Sequence, residues 1–419
     1  MVCDACEIHG QAGMERNSLY RYVFAGALAA GIAAQPAWAG PAPGQGVGAL
    51  ARCIEAKATA LHFSGVALIA RRGRTTTYTS GVEAGPGSAP ITVGSQFNLG
   101  SASKMFTAVA VAQLIEAGKI GLDDPIGRYV GGLMPAASKV TVQQLLSHSS
   151  GLGNYFTPEN LHTIEDAHSL RDLLPLVVKD SPAFTPGSRF AYSNSGFLLL
   201  GLLIEQVTHQ SYIDYLRRHI FSPAHMVATS MEPGPRKLLA IGMTAMQPPA
   251  GPVSKHGARF VARASDTPSA TPAVLLPSAA AMMRASSAGG MYSTASDMKN
   301  FFSALLAGRL ISPVMLKTLV TPRFIIVPAK EGRPEVDYGF GFGTGFFHRH
   351  RWFGHNGGLP GGNAETNVFP DDGVTIEVMA NRDPPMASRL YEALRQVAFD
   401  PSALRICASG TVRAGRTPE

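Results

Sequence analysis

The sequence predicts an α/β layer interrupted by a helical region. Three observations lead there: strand-type segments near both ends of the chain, Pro- and Gly-punctuated helical patches between them, and a helix after the last strand. The 419 residues are 45% hydrophobic and 16% charged, enough for a sizeable buried core. With 45 Gly and 30 Pro, the chain stays below the composition of disordered or collagen-like proteins.

Residues 47–62 have the pattern of an amphipathic helix. Phe63 to Ala70 and Thr75 to Ser80 read as strands around Arg71-Arg72-Gly73-Arg74, a hairpin signal. Residues 101–117 form a near-continuous apolar helix ended by Gly118, and residues 120–245 are mainly helical patches. The Pro- and Ala-rich stretch 246–278 lacks periodicity and reads as a long surface loop. Helices follow near 296–307 and 312–319, then short Gly- and aromatic-rich strands from Tyr338 to Met379, then a helix at 386–399.

The first residues read as an export signal. From Met14, Arg16 and Arg21 give a basic start, Tyr22 to Ala34 an apolar stretch, and Ala37-Trp38-Ala39 an A-x-A site that predicts cleavage after Ala39. The destination is the periplasm or the exterior. The apolar stretch is too short for a stable membrane span. Residues 1–13, with Cys3 and Cys6, are an upstream extension, so the mature chain keeps Cys53 and Cys407. In an oxidising compartment these two could form one long-range disulfide or remain separate small core residues.

The net charge of +7 is spread along the chain, and the densest basic groups, Arg71-Arg72-Gly73-Arg74 and His348-Arg349-His350-Arg351, carry no interleaved stacking aromatics. Nucleic acid is not the expected partner. No metal-ligand spacing, P-loop or dinucleotide fingerprint occurs, so neither metal nor cofactor is expected. The nucleophile elbow G-x-S-x-G is also absent.

Ser-x-x-Lys occurs twice, and so short a pattern needs its context. Ser296-Asp297-Met298-Lys299 follows Ser293-Thr294, an N-cap signal, and reads as a structural helix start. Ser101-Ala102-Ser103-Lys104 opens the apolar helix, where residues i and i+3 share a face and Lys104 can reach the Ser101 hydroxyl. A lysine in a dry pocket loses its proton more readily and can act as base. Lowering its pKa from about 10.4 to near 7 takes roughly 4–5 kcal/mol of environmental effect.

Two further patterns complete the candidate site. In Tyr192-Ser193-Asn194, the phenol could shuttle a proton and the carboxamide could hold Lys104 or a substrate amide. In His355-Asn356-Gly357-Gly358, the glycines let a substrate lie along a strand and a main-chain N–H point at a forming oxyanion.

Ser101-x-x-Lys104, Tyr192-x-Asn194 and His355-Asn356-Gly357, in this order, resemble the serine β-lactamase and penicillin-binding family. The class C-like branch is the nearest match, with D-alanyl-D-alanine carboxypeptidases and family VIII esterases. The stretches Phe63-Ser64-Gly65-Val66, Val142 to Leu152, Gly289 to Thr294 and Tyr338 to Gly341 extend the likeness over about residues 50–400.

The resemblance implies a β-lactamase/transpeptidase-like fold: an antiparallel sheet flanked by helices, built from both chain ends (45–100 and 285–408), with an inserted all-helical domain (101–284). It also implies Ser101 as acylated nucleophile, Lys104 as its base and Tyr192 as proton shuttle. Asn194, His355, Asn356, Gly357 and Gly358 would serve substrate and oxyanion, the latter through the N–H groups of Ser101 and Gly358. The helices near Cys53 and Cys407 would lie side by side, which favours the disulfide. His148, in the Leu145 to Leu152 stretch, would be a loop element and not a triad member.

β-Lactamases usually carry Lys-Thr-Gly where this chain has His355-Asn356-Gly357. A partly charged His and an amide there disfavour efficient β-lactam hydrolysis. The expectation is an exported serine hydrolase acting on a small-molecule or peptide ester or amide. Its alternatives are a D-Ala-D-Ala carboxypeptidase or D-amino-acid peptidase, a weak β-lactamase, and a penicillin-binding sensor that acylates without turnover. Oligomeric state is left open.

Overall fold

The computed structural model describes residues 45–84, 88–234, 239–244, 276–277, 284–330 and 335–408. The export-signal reading lies outside them. So does the loop reading for 246–278, except Leu276–Pro277, which pairs as a short antiparallel strand with Met243–Thr244.

Both chain ends build one eight-stranded antiparallel sheet. Across it run Arg74–Ser80, Gly65–Arg71, Val374–Ala380, Gly362–Phe369, His350–Leu359, Gly343–Phe347, Val336–Tyr338 and Phe324–Val327. The first hairpin turns on Arg72 and Gly73, with φ of 46° and 78°. A two-residue loop joining right-twisting strands requires such left-handed backbone.

Strand Gly65–Arg71 is buried on both faces, which explains its unbroken apolar run. Val66 and Leu68 face the larger core, whereas Ala67 and Ile69 face a second core under the terminal helices. That second core contains Ile54 and Ala58 of helix Gln45–Ala60 and Leu390 and Leu394 of helix Met386–Phe399. Each such fully buried side chain contributes about 1.5–3 kcal/mol.

Cys53 on the first helix and Cys407 on helix Pro401–Ala408 are joined by a disulfide, with Cα atoms 5.2 Å apart and 354 positions between them in sequence. No helix among the described residues is long and apolar enough to cross a membrane.

Helix Lys104–Glu116 is the axis of the larger core. Nearly every residue from Lys104 to Leu114 is buried, as a helix that is apolar on all sides demands. Phe106 meets Phe221 and Phe301 edge-on at 5.2 and 5.0 Å. Helix Asn194–Thr208 packs beside it, capped by the Ser193 hydroxyl, which accepts from the Gly196 N–H at 3.0 Å. The apolar cluster runs without a break from Val66, Leu68 and Phe353 of the sheet to Leu145, Leu199 and Phe221 of the helical region.

Three elements escape the sequence pattern. Strands Phe324–Val327 and Val336–Tyr338 are short and lie at the sheet edge, too brief for a period to register. Helix Pro401–Ala408 starts on a proline, which suits a first helical turn but also reads as a chain break. Thr294, by contrast, caps helix Ala295–Leu306 as its position suggests, accepting from the Asp297 N–H at 3.1 Å. Ser296 of the second Ser-x-x-Lys is exposed on that helix.

Glu377 is fully buried in the central strand, and neither carboxylate oxygen has a hydrogen-bond partner among the described residues. Burial pushes its pKa well above the ordinary value, so the folded chain holds it protonated. The unfolded carboxyl ionises above about pH 4.3. The folded state therefore binds the extra proton, and stability declines as pH rises through that window. In Glu377→Gln, thermal melting should fall less between pH 5 and pH 8 than in the parent chain; an equal slope contradicts the assignment. Replacing both Cys53 and Cys407 by Ser should cost about 2–4 kcal/mol in denaturant unfolding. Unchanged stability would mean that the cross-link does not constrain the unfolded chain.

Candidate active site

The chain enters the larger core through a sharp turn. Gly100 has φ of 50°, and its N–H donates to Asn98 Oδ1 at 2.9 Å. Its carbonyl accepts from Ser103 Oγ at 2.8 Å and from the Gly290 N–H at 3.0 Å. These contacts set a single 3-10 turn, Gly100–Ser103, directly ahead of helix Lys104–Glu116. Ser101 is left partly exposed on the turn, while Lys104 is buried completely.

Strand His350–Leu359 lies against that turn. Its pairing with Gly343–Phe347 ends at Gly354, so residues 355–359 keep one edge without a strand partner. A Cβ on Gly357 would sit 1.8 Å from the Leu99 carbonyl oxygen, so only glycine permits this approach. A Cβ on Gly100 would come within 3.0 Å of the Gly358 nitrogen. The backbone of Gly358 thus stands beside Ser101.

Lys104 Nζ is 3.3 Å from Ser101 Oγ and 2.7 Å from Asn194 Oδ1, and it also donates to the Ala288 carbonyl. None of these partners is a carboxylate. Burial alone drives the amine well below its ordinary pKa, which makes the neutral form the stable one. A neutral amine has two N–H donors and one lone pair. With the donors committed to Asn194 and Ala288, the lone pair is left for the Ser101 hydroxyl proton.

The Asn194 amide has one orientation open to it. The Asn154 Oδ1 atom accepts from the Phe156 N–H at 3.1 Å and from Asn194 Nδ2 at 2.9 Å. This directs Asn194 Oδ1 toward Lys104. Of the two roles the sequence allows Asn194, the structure shows it holding the lysine.

Tyr192 precedes the same helix. Its hydroxyl hydrogen-bonds Ser101, and the surrounding protein raises the phenol pKa, which keeps it protonated. The Lys104 Nζ lies 4.7 Å from the centre of the Tyr192 ring. On the other side the His148 ring packs at 4.1 Å. The residue remains 41% exposed, with its hydroxyl bonded to Ser101.

His355 differs from the sequence expectation of a partly charged group. It is buried, and desolvation above all lowers its pKa to about 3, so the ring is neutral. Its Nε2 meets the Tyr338 hydroxyl at 3.0 Å. Tyr338 also contacts His148 Nε2 at 3.2 Å. Asn356 is exposed, as strand alternation demands when His355 and Gly357 face inward. Sequence reasoning missed the Ala288 carbonyl, Asn154 and the linkage through Tyr338. The first has no side-chain signal, and the others depend on contacts distant in sequence.

Beside Ser101 opens a cavity of about 190 Å³. Ser101, Gly358 and Asn194 line it together with the apolar side chains of Ile164, Leu170 and Met231.

The family model for Beta-lactamase matches residues 50–399. Penicillin-binding protein 4* of Bacillus subtilis is 35% identical over 144 residues, which is 33% of this chain and 31% of that protein. The chain therefore aligns with about a third of that relative's length. The crystal structure of a penicillin-binding protein from Bacillus halodurans superposes with a TM-score of 0.68 at 25% identity, covering 82% of this chain and 98% of the other. The D-amino acid amidase of Ochrobactrum anthropi, solved with D-phenylalanine, superposes with a TM-score of 0.66 at 25% identity, covering 87% and 99%. With the match spanning nearly all the described residues, the chain belongs to the Beta-lactamase family of serine hydrolases.

Proposed function

We propose that the chain hydrolyses an ester or amide through an acyl-Ser101 intermediate. The observation that carries this reading is the fully buried Lys104, 3.3 Å from Ser101 Oγ and without a carboxylate partner. Lys104 Nζ takes the hydroxyl proton as Oγ attacks the substrate carbonyl carbon. The N–H groups of Ser101 and Gly358 stabilise the oxyanion, a contribution of about 2.7–4 kcal/mol for one such donor. The Tyr192 hydroxyl passes a proton to the leaving alkoxide or amine as its bond to carbon breaks. Water then adds to the acyl carbon, surrenders a proton to the same pair, and releases the acid and free Ser101.

The apolar walls of the cavity beside Ser101 favour a substrate with an apolar acyl group. A neutral His355 supplies no positive charge for a substrate carboxylate. That favours simple esters and amides over β-lactams and C-terminal peptide acids. A second reading, hydrolysis of D-amino acid amides or peptides, draws support from the likeness to the Ochrobactrum amidase. The Cys53–Cys407 disulfide is consistent with an exported chain, since such bonds persist in oxidising compartments.

Turnover of p-nitrophenyl butyrate, with intact-mass detection of the acylated protein, tests this reading. Ser101→Ala should lose at least about 10³-fold in kcat and all acylation. Lys104→Arg should lose turnover to a similar extent, because a guanidinium does not give up its proton. Penicillin should leave little or no stable adduct. Turnover retained in purified Ser101→Ala overturns the mechanism; a permanent penicillin adduct without turnover of any ester identifies a sensor instead.

A further inference from the structure

Beneath Tyr192 lies a continuous buried hydrogen-bond chain that the acylation steps above do not use. The Ser193 N–H reaches His148 Nδ1 at 3.1 Å, and His148 Nε2 meets the Tyr338 hydroxyl at 3.2 Å. The same hydroxyl meets His355 Nε2 at 3.0 Å, and His355 Nδ1 meets the Asn356 carbonyl at 2.5 Å. His148, Tyr338 and His355 are all buried.

Donor and acceptor counting gives this chain a single direction. A backbone N–H can only donate, so His148 Nδ1 accepts and the ring proton sits on Nε2. His148 then donates to Tyr338, whose one hydroxyl proton is free to donate onward to His355 Nε2. His355 accepts there and carries its proton on Nδ1, which donates to a carbonyl that can only accept. The two histidines must therefore hold opposite tautomers, and a proton added to either ring would break a link.

We propose that Tyr338 is a positioning residue for the hydrolysis at Ser101, joining the Tyr192-Ser193-Asn194 loop to the His355-Asn356-Gly357-Gly358 strand and holding both histidines neutral. Three geometric facts carry this. The His148 ring that Tyr338 fixes is the one stacked on Tyr192 at 4.1 Å. The N–H that begins the chain belongs to Ser193, between Tyr192 and the lysine-holding Asn194. The carbonyl that ends it lies in the strand segment resting on the nucleophile turn.

With its Nε2 engaged by Tyr338 and its Nδ1 by the Asn356 carbonyl, His355 has both ring nitrogens committed. The titratable groups around His355 are Lys104 on the core helix, Tyr338 on strand Val336–Tyr338 and His148 on the Val142 to Leu152 stretch, with Tyr192 next to Tyr338. Glu377 stands two strands away on the same face through Thr366. In this setting a charged His355 would oppose any positive charge on Lys104.

This role in catalysis rests on the acyl-Ser101 reading, whereas the tautomers do not. Long-range ¹H–¹⁵N correlation spectra of the full chain at pH 7 should show His148 as the Nε2–H form and His355 as the Nδ1–H form. The same tautomer on both rings, or a cationic ring, overturns the proposal even if Ser101 proves to be acylated. Tyr338→Phe removes one oxygen and both links. With p-nitrophenyl butyrate its kcat should fall about tenfold with KM changed less than about twofold. The acid limb of its kcat/KM profile should move up by about one pH unit, as His355 regains a site for a second proton. A Tyr338→Phe protein that melts like the parent and keeps its kcat and acid limb defeats the positioning role. If that variant does not fold, the tautomers of the parent chain decide.

Discussion

The structure is organised around an ammonium-forming group that is completely buried. Lys104 is the first residue of a helix buried on almost every face, and it has no anion beside it. An isolated buried charge would cost several kcal/mol, so the group responds by giving up its proton. Much of the surrounding fold serves to make that cheap and directional. Asn154 turns the Asn194 amide, Gly289 and Gly290 bring the 288 carbonyl close to the nucleophile turn, and the apolar core excludes competing solvent. Glycine at 357 lets a sheet strand rest on the same turn. Ser101 then lies at the junction of helix, sheet and loop.

What the sequence makes legible is what is local. Ser101 and Lys104 are one helical turn apart, so spacing alone puts them in reach. Tyr192 and Asn194 are two positions apart, and the Arg72-Gly73 hairpin announces itself by residue type. The first terminal helix follows from its amphipathic pattern and the sheet core from unbroken apolar runs such as Val66 to Ala70. What escapes depends on distant partners. The Ala288 carbonyl is backbone, 184 positions from Lys104. Tyr338 is 190 positions from His148 and 17 from His355, and nothing in a linear pattern joins them. The charge of His355 was misjudged for the same reason, since burial beside Lys104, not residue type, decides it.

The interior holds other groups in uncharged forms. Glu377, His148 and His355 are all shifted toward neutrality, and Glu365 is raised to about 7 by burial, with a Ser388 hydrogen bond opposing that shift. Neutral groups packed around Ser101 leave fixed dipoles, such as backbone N–H groups, to act on charge that develops there. The cavity beside Ser101 combines apolar walls from Ile164, Leu170 and Met231 with polar side chains such as Glu205 and Arg284.

The protonation state of Lys104 is therefore the quantity on which the account turns. Selective ¹³Cε labelling of lysine, with the Lys104 signal assigned by its loss in Lys104→Arg, would follow that one amine through a pH titration in resting protein. The account predicts a neutral amine at pH 8, with a midpoint well below the ordinary value of about 10.4. A Lys104 signal that stays cationic until pH 10 would contradict it, and would require another group to take the Ser101 proton.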